Sequence, residues 1–221
     1  PAPMDMTINW MNSQGYMTMP ERGPLSVSVP GSVAGWAALH ERYGRKDFGS
    51  LLQAAISYAR DGFPISRQLS EALATLRPLL EQHEGARDTF LNSGANQPRD
   101  IFRQPRLAET FERIAKEGRD GFYRGFVADD IVATLQAGGS AMTQADLANF
   151  QPEWVTPLST DYRGVELVEL PANTQGPTAL LMANIVERWP VEELGHTTGL
   201  GVHAYVETKK RAFKERDTLL A

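Results

Sequence analysis

At "EWVTPLSTDYRGVELVEL", residues 153–170, the hydrophobic pattern of this chain leaves helical spacing: two β-rich runs flank the turn Asp161-Tyr162-Arg163-Gly164. This is a hairpin signature. Upstream and downstream of it the apolar residues recur mainly at i, i+3, i+4 spacing in short stretches closed by glycine. Ser32 is placed to cap a helix running through Tyr43, with Val33, Trp36, Ala37 and Leu39 on one face and Gly44 as the stop. A second helix is expected from Ser50 to Gly62 with Leu51, Leu52, Ala55, Ile56 and Ala59 inward. A third starts at Ser66 with Leu69, Leu76, Leu79 and Leu80 inward, kinked or ended by Pro78.

Residues 83–104 are polar and turn-rich and read as a surface excursion. Pro105 then opens a helix through Leu107, Phe111, Ile114 and Ala115 to Gly118. Phe126–Ala137 is the next helix, and Thr143 with Asp146 forms a capping-box-like start to a short one. After the hairpin, Pro171–Gly176 is a turn-like loop. Thr178–Trp189 returns to helical spacing with Leu181, Met182, Ile185 and Val186 inward. The last helix starts at Thr198 and offers Val202, Tyr205, Val206 and Phe213 as its apolar stripe. Residues 1–24 show no sustained period and read as loop and linker, which leaves 25–221 as the folded part.

Composition narrows the function classes. Apolar residues at 42% and charged residues at 22% fit an ordinary globular protein, and no apolar run approaches the roughly 20 residues that span a bilayer. A net charge of -5, with basic residues scattered apart from Lys209, Lys210, Arg211, Lys214 and Arg216, gives little support to nucleic-acid binding. The last helix, with Glu207, Glu215 and Asp217 among those cations, reads as a salt-bridged exterior. Without cysteine there is no thiolate nucleophile and no disulfide frame, and the redox compartment stays open. The opening Pro1-Ala2-Pro3-Met4 lacks a signal-peptide pattern, so the chain reads as cytosolic, already trimmed, or an interior fragment.

Intrinsic motifs alone name no activity. "VPGSVAG" and "GGSAMT" are glycine loops near helix starts that match neither the phosphate-loop nor the dinucleotide pattern, so turn geometry outweighs anion binding. The four histidines, His40, His83, His196 and His203, lack metal-ligand spacing, and no metal or cofactor is expected. Asp129-Asp130 and Glu192-Glu193 are sequence neighbours, which points them to different sides of a helix rather than at one proton.

The order of longer motifs says more. "SVPGSVAGWAALHERYGRKDFGSLLQAAISYARDGFPIS", "AETFERIAKEGRDGFYRG", "IVATLQAGGSAMTQADLANFQPEWVTPLSTDYRG" and "VELPANTQGPTALLMANIVE" together resemble the large subunit of the γ-glutamyltranspeptidase family over nearly all of residues 25–221. The resemblance implies an α/β N-terminal-nucleophile hydrolase with an αββα sandwich, to which this chain contributes mostly helices and a β-hairpin. It implies a precursor that cuts itself, and a small subunit whose first residue, a threonine, is the nucleophile. That activity would open γ-glutamyl amides of the glutathione type by acyl transfer to water or an amine. The compartment it favours is periplasmic or secreted, with the cytoplasm left open.

No catalytic residue is carried over to this chain, because Arg22 does not match the family's carboxylate-gripping arginine and the threonine lies on the other subunit. One departure stands out: Leu170-Pro171-Ala172-Asn173-Thr174-Gln175-Gly176 replaces a Pro-Pro-Pro-Ser-Ser-Gly-Gly-like loop. It resembles the branch that shades into cephalosporin acylases, so a β-lactam side-chain acylase is the alternative activity, and a non-enzymatic helical interaction module the alternative class. Asn173, Thr174, Gln175 and Gly176 are the candidate substrate-binding residues, since loops at strand ends present polar groups on a rigid scaffold. Against this stands a plain turn, shaped by Pro171 and Gly176 with Thr174 or Gln175 capping backbone. The expected partners are the small subunit and a small-molecule amide, with no nucleic acid and no membrane span.

Overall fold

The structure, a computed structural model, describes residues 1–219 and divides the chain into two compact units, Pro1–Pro152 and the segment from Glu153 onward. The first unit is helical. Its elements run α1 (Ile8–Ser13), α2 (Ser32–Tyr43), α3 (Phe48–Asp61), β1 (Phe63–Pro64), α4 (Arg67–Leu80), α5 (Glu84–Ala86), β2 (Ile101–Phe102), α6 (Pro105–Glu117), α7 (Asp120–Tyr123), α8 (Phe126–Ala137) and α9 (Gln144–Asn149).

Its main core gathers Val29, Val33 and Ala34 with Ile114, Tyr123, Ala128, Val132, Leu135, Met142 and Leu147, and Phe48, Leu52, Phe111 and Phe150 pack against that set. Residues 1–24, read as loop and linker, are partly helical. Thr7 caps α1, and Met6, Met11 and Leu25 close a small second core with Trp10 and Ala141 against it. The segment is also tethered by polar bonds: Met4 N–H donates to Asp146 Oδ1 at 2.9 Å, on the residue that completes the capping box of α9 with Thr143. Partial burial would raise the Asp146 pKa, but the bonds from Met4 and from the Thr143 hydroxyl and N–H outweigh it, and its carboxyl sits below the usual range.

Several sequence expectations shift. Ser32 does not cap α2; it is the first helical residue, and Gly31 holds the cap position without a side-chain bond. The buried face of α2 is Val33 and Ala34, with Ala37 and Ala38 half-buried, whereas Trp36 and Leu39 are exposed. Small residues let the helix approach its neighbours closely, which periodicity of hydrophobicity alone does not register. Helix α3 begins two residues early because Asp47 accepts from Ser50 N–H at 2.8 Å, and Leu51 faces solvent. Helix α4 continues through Pro78 to Leu80, since a proline in the last turn removes one backbone bond without blocking the rest; Leu73 is its buried residue and Leu76 is exposed. The excursion at 83–104 carries a core of its own: β2 pairs antiparallel with β1, and Phe102 stacks on Phe90 and meets Phe63 edge-on over Ile65 and Ala95.

The second unit contains the hairpin β3 (Leu158–Tyr162) and β4 (Val165–Glu169), then α10 (Gly176–Val186), α11 (Val191–Leu194) and α12 (Gly199–Leu219). The hairpin pairs Tyr162 with Val165 around the tip Arg163-Gly164, whose φ values of 55° and 81° are the left-handed pair that a two-residue primed turn requires. Gly164 N–H donates to Asp161 Oδ1 at 3.0 Å. The tip is pinned to the end of α10 and the start of α11: Arg163 N–H donates to Glu187 Oε1, its Nη2 to the Trp189 carbonyl, and its Nη1 pairs with Glu192. Helix α12 corrects the sequence reading. Its buried stripe is Ala204, Thr208 and Ala212, an i, i+4, i+8 face packed on α10, and Val202, Tyr205 and Val206 are exposed.

Candidate functional site

The motif Phe122-Tyr123-Arg124-Gly125 explains the junction at Pro30-Gly31. Tyr123 is fully buried, and its hydroxyl donates to the Pro30 carbonyl at 2.6 Å while accepting from Ala34 N–H at 3.2 Å. That N–H belongs to the first turn of α2, so a side chain 89 residues away supplies the cap that Gly31 lacks. Gly31 is glycine for a local reason: a Cβ there would lie 2.9 Å from the Phe150 ring. Arg119 holds the arrangement from the other side, with its guanidinium 4.8 Å over the Tyr123 ring and Nη2 donating to the carbonyls of Ala148 and Phe150. The glycine loop is thus closed by protein groups.

The second unit holds the four sequence-predicted binding residues, on the loop between β4 and α10. They divide into two pairs. Thr174 Oγ1 shares its proton between the carbonyls of Leu170 and Pro171, at 3.2 and 2.9 Å, and accepts from Gly176 N–H at 3.1 Å. Gly176 is buried, and a Cβ on it would run into the Leu170 carbonyl oxygen and lie 3.0 Å from Glu169 Cβ. These two residues build the turn. Asn173, left-handed at φ 76°, and Gln175, at the cap position of α10 without a side-chain cap bond, are both exposed.

Asn173 and Gln175 line an open cleft of about 480 Å³ together with Ala172, Thr174, Arg216, Asp217 and Leu219. Arg216 reaches it from the far end of α12. Its guanidinium lies 4.2 Å over the Phe213 ring, its Nε and Nη2 donate to Asp217 Oδ1 at 2.8 and 2.6 Å, and its Nη1 donates to Gln175 Oε1 at 3.4 Å. In the sequence Arg216 is one member of a solvated basic cluster. The signal that could have singled it out is its place three residues after Phe213, an i, i+3 neighbour on a helix surface. The cleft therefore combines a cation, a carboxylate and two primary amides, a set suited to recognising a small polar molecule. Among the described residues no group of three or more His, Asp or Glu is placed to hold a metal ion, and no helix is long and apolar enough to cross a membrane.

The family model for gamma-glutamyltranspeptidase matches residues 1–221. The glutathione hydrolase-like YwrD proenzyme of Bacillus subtilis is 36% identical over 209 residues, covering 94% of this chain and 40% of that protein. The crystal structure of Helicobacter pylori gamma-glutamyltranspeptidase matches 100% of this chain and 65% of that one with a TM-score of 0.89 at 29% identity. Cephalosporin acylase from Bacillus halodurans matches 96% of this chain and 41% of that one with a TM-score of 0.83 at 33% identity. The chain thus spans about 40% or less of the length of the curated relatives it matches. With its motifs in family order, its helices and hairpin superposable on these structures and its whole length matched, the chain belongs to the γ-glutamyltranspeptidase family and has the mostly helical part of that family's N-terminal-nucleophile hydrolase fold.

Proposed function

We propose that this chain is the large-subunit part of an amidohydrolase or transferase that cleaves γ-glutamyl amides of the glutathione type through an acyl-enzyme. The observation that carries this reading is the family match over all 221 residues, and the proenzyme relative named for glutathione hydrolysis supports the substrate class. The nucleophile is a threonine at the start of a small subunit released from the same precursor. Its hydroxyl attacks the amide carbonyl while its own α-amino group, with a pKa of about 8, takes the proton. The proton passes to the departing amine as the C–N bond breaks and an ester to threonine remains. Water or a second amine then attacks that ester, giving the acid or a new amide and restoring the hydroxyl. In this scheme the loop Asn173–Gly176 borders the acyl-acceptor side: Thr174 and Gly176 shape it, and the amides of Asn173 and Gln175 face the incoming molecule.

A second reading, cleavage of a β-lactam side-chain amide, rests on the same loop. Leu170–Gly176 departs from the family's proline- and serine-rich version, and the acylase neighbour is 33% identical where the H. pylori enzyme is 29%. The test of both is the full-length precursor, followed by intact mass and by turnover of a γ-glutamyl anilide and a β-lactam side-chain amide. Two product masses with γ-glutamyl turnover support the first reading. Two masses with β-lactam amide turnover alone shift it to the second, and an uncut, inactive chain replaces both with a binding module.

A further inference from the structure

Arg163 stands at a position whose backbone favours a different residue. Its φ of 55°, followed by 81° at Gly164, is the left-handed pair of a two-residue hairpin turn, in which asparagine or glycine is preferred at the first place. A long side chain kept there in an unfavourable conformation points to a role for that side chain. The bonds show which one. Arg163 N–H donates to Glu187 Oε1 at 2.9 Å and Nη2 to the Trp189 carbonyl at 3.1 Å, at and just past the C-terminal end of α10. About one turn earlier on that helix, Asn184 Oδ1 accepts from Thr160 Oγ1 of β3 at 2.6 Å. The pair with Glu192, which is 89% exposed, adds little. The other end of the same helix carries the loop. β4 has five residues at about 3.3 Å each and α10 eleven at about 1.5 Å each, so both span about 17 Å. Strand and helix are therefore joined at both ends, by Leu170–Gln175 at one and by Arg163 at the other, with the hairpin packed along α10 between them. At the loop end the fit has no slack, since a Cβ on Gly176 would run into the Leu170 carbonyl oxygen and lie 3.0 Å from Glu169 Cβ. A shift of β4 along α10 is thus passed to the loop, whose Thr174 hydroxyl ties the backbone of Leu170, Pro171 and Gly176 together.

We propose that Arg163 is the positioning residue of the Leu170–Gly176 loop: by pinning the hairpin tip to the far end of α10 it sets the register of β4 on that helix, and with it the place of the Asn173 and Gln175 amides. Its own hydrogen bonds go to Glu187, Trp189 and Glu192 rather than to the loop, so it acts through the strand. The consequence for catalysis rests on the reading above that this loop borders the site of acyl transfer. Register matters there because a misplacement of about 1 Å can cost about 10²-fold in rate.

The test uses the processed full-length protein and Arg163→Asn, which makes the tip Asn-Gly, a favoured pair for this turn, keeps the backbone N–H and removes the reach to Trp189. Hydrogen exchange followed by mass spectrometry reads the loop directly: the amides of residues 170–176 are expected to exchange about tenfold faster in the variant, with those in the middle of α12 unchanged. With a γ-glutamyl anilide and hydroxylamine, the ratio of hydroxamate to free acid is expected to shift by about threefold or more. That ratio is set within active molecules, so a loss of folded protein does not move it. Loop exchange at the wild-type rate, faster exchange spread evenly over the second unit, an unchanged ratio beside a loosened loop, or a variant that does not fold overturns the proposal. Gln175→Ala separates it from the reading it rests on: a ratio moved by Gln175→Ala but not by Arg163→Asn keeps the loop at the acyl-transfer site and removes Arg163 as its positioning residue. A wild type that forms no hydroxamate removes the acyl-transfer reading, and the loop exchange alone then decides for or against Arg163.

Discussion

Tyr123 links two segments that no local rule connects. Phenylalanine there would keep the ring and its 5.9 Å stack on Phe150 but leave the Pro30 carbonyl and the Ala34 N–H without their partner. Groups orphaned in a buried site cost about 1–3 kcal/mol, so Tyr123→Phe is expected to lower the urea midpoint at unchanged m-value. The pH dependence has a definite sign. Burial raises the Tyr123 pKa above its ordinary value, and the Ala34 N–H and the Arg119 charge only partly offset it. A raised folded-state pKa means that the tyrosine's contribution is full below the unfolded value of about 10 and is lost as pH climbs through the folded one. The stability gap between wild type and Tyr123→Phe should therefore stay constant from neutrality to about pH 9 and narrow above pH 10. A gap that widens there would contradict the buried, neutral phenol. The sequence shows Tyr123 within a family motif, but its partner is 93 residues away, and nothing in local spacing encodes such a bond. By contrast the Thr143–Asp146 capping box was legible, because all of its atoms lie within one turn.

At the scale of elements, the sequence made legible the succession of the longer helices and their giving way to the hairpin, though not α1 or the caps of α2 and α3. What it hid is which face turns inward. Helix α12 illustrates the reason: it carries an apolar set at Val202, Tyr205 and Val206 and a small-residue set at Ala204, Thr208 and Ala212, and the second is buried. Hydrophobic periodicity weighs side chains by transfer energy, whereas packing on α10 selects for close approach. The same choice appears on α2, where Val33 and Ala34 are inward and Trp36 outward. Burying Thr208 has a cost, because its hydroxyl is fully enclosed and has no hydrogen-bond partner among the described residues. Valine has nearly the same shape and no polar atom to desolvate. Thr208→Val is accordingly expected to leave the melting temperature unchanged or raise it by the equivalent of about 1 kcal/mol. A loss of more than that in a thermal melt would mean that the hydroxyl is satisfied in solution.

The molecule as a whole leaves apolar faces open on each unit. On the first, Trp36, Leu39 and Tyr43 recur at helical spacing along α2 and are 44%, 53% and 62% exposed. On the second, α12 shows Val202, Tyr205 and Val206, and the hairpin exposes Val165 and Val168 with no third strand beside it among the described residues. A two-stranded hairpin is marginal by itself, and exposed apolar side chains at helical spacing, as on α2, are of the kind found where protein meets protein. The B. subtilis relative is matched over 40% of its length. The candidate site has the same incompleteness: the loop at 173–176 offers amides, and α12 brings a cation and a carboxylate, yet neither supplies the terminal α-amino and hydroxyl pair that the proposed chemistry requires. Residues 1–221 expressed alone are therefore expected to turn over no γ-glutamyl anilide, in a preparation shown free of host enzyme, whereas the processed full-length protein does. Turnover by residues 1–221 alone would place a nucleophile within this chain and overturn its assignment to the small subunit.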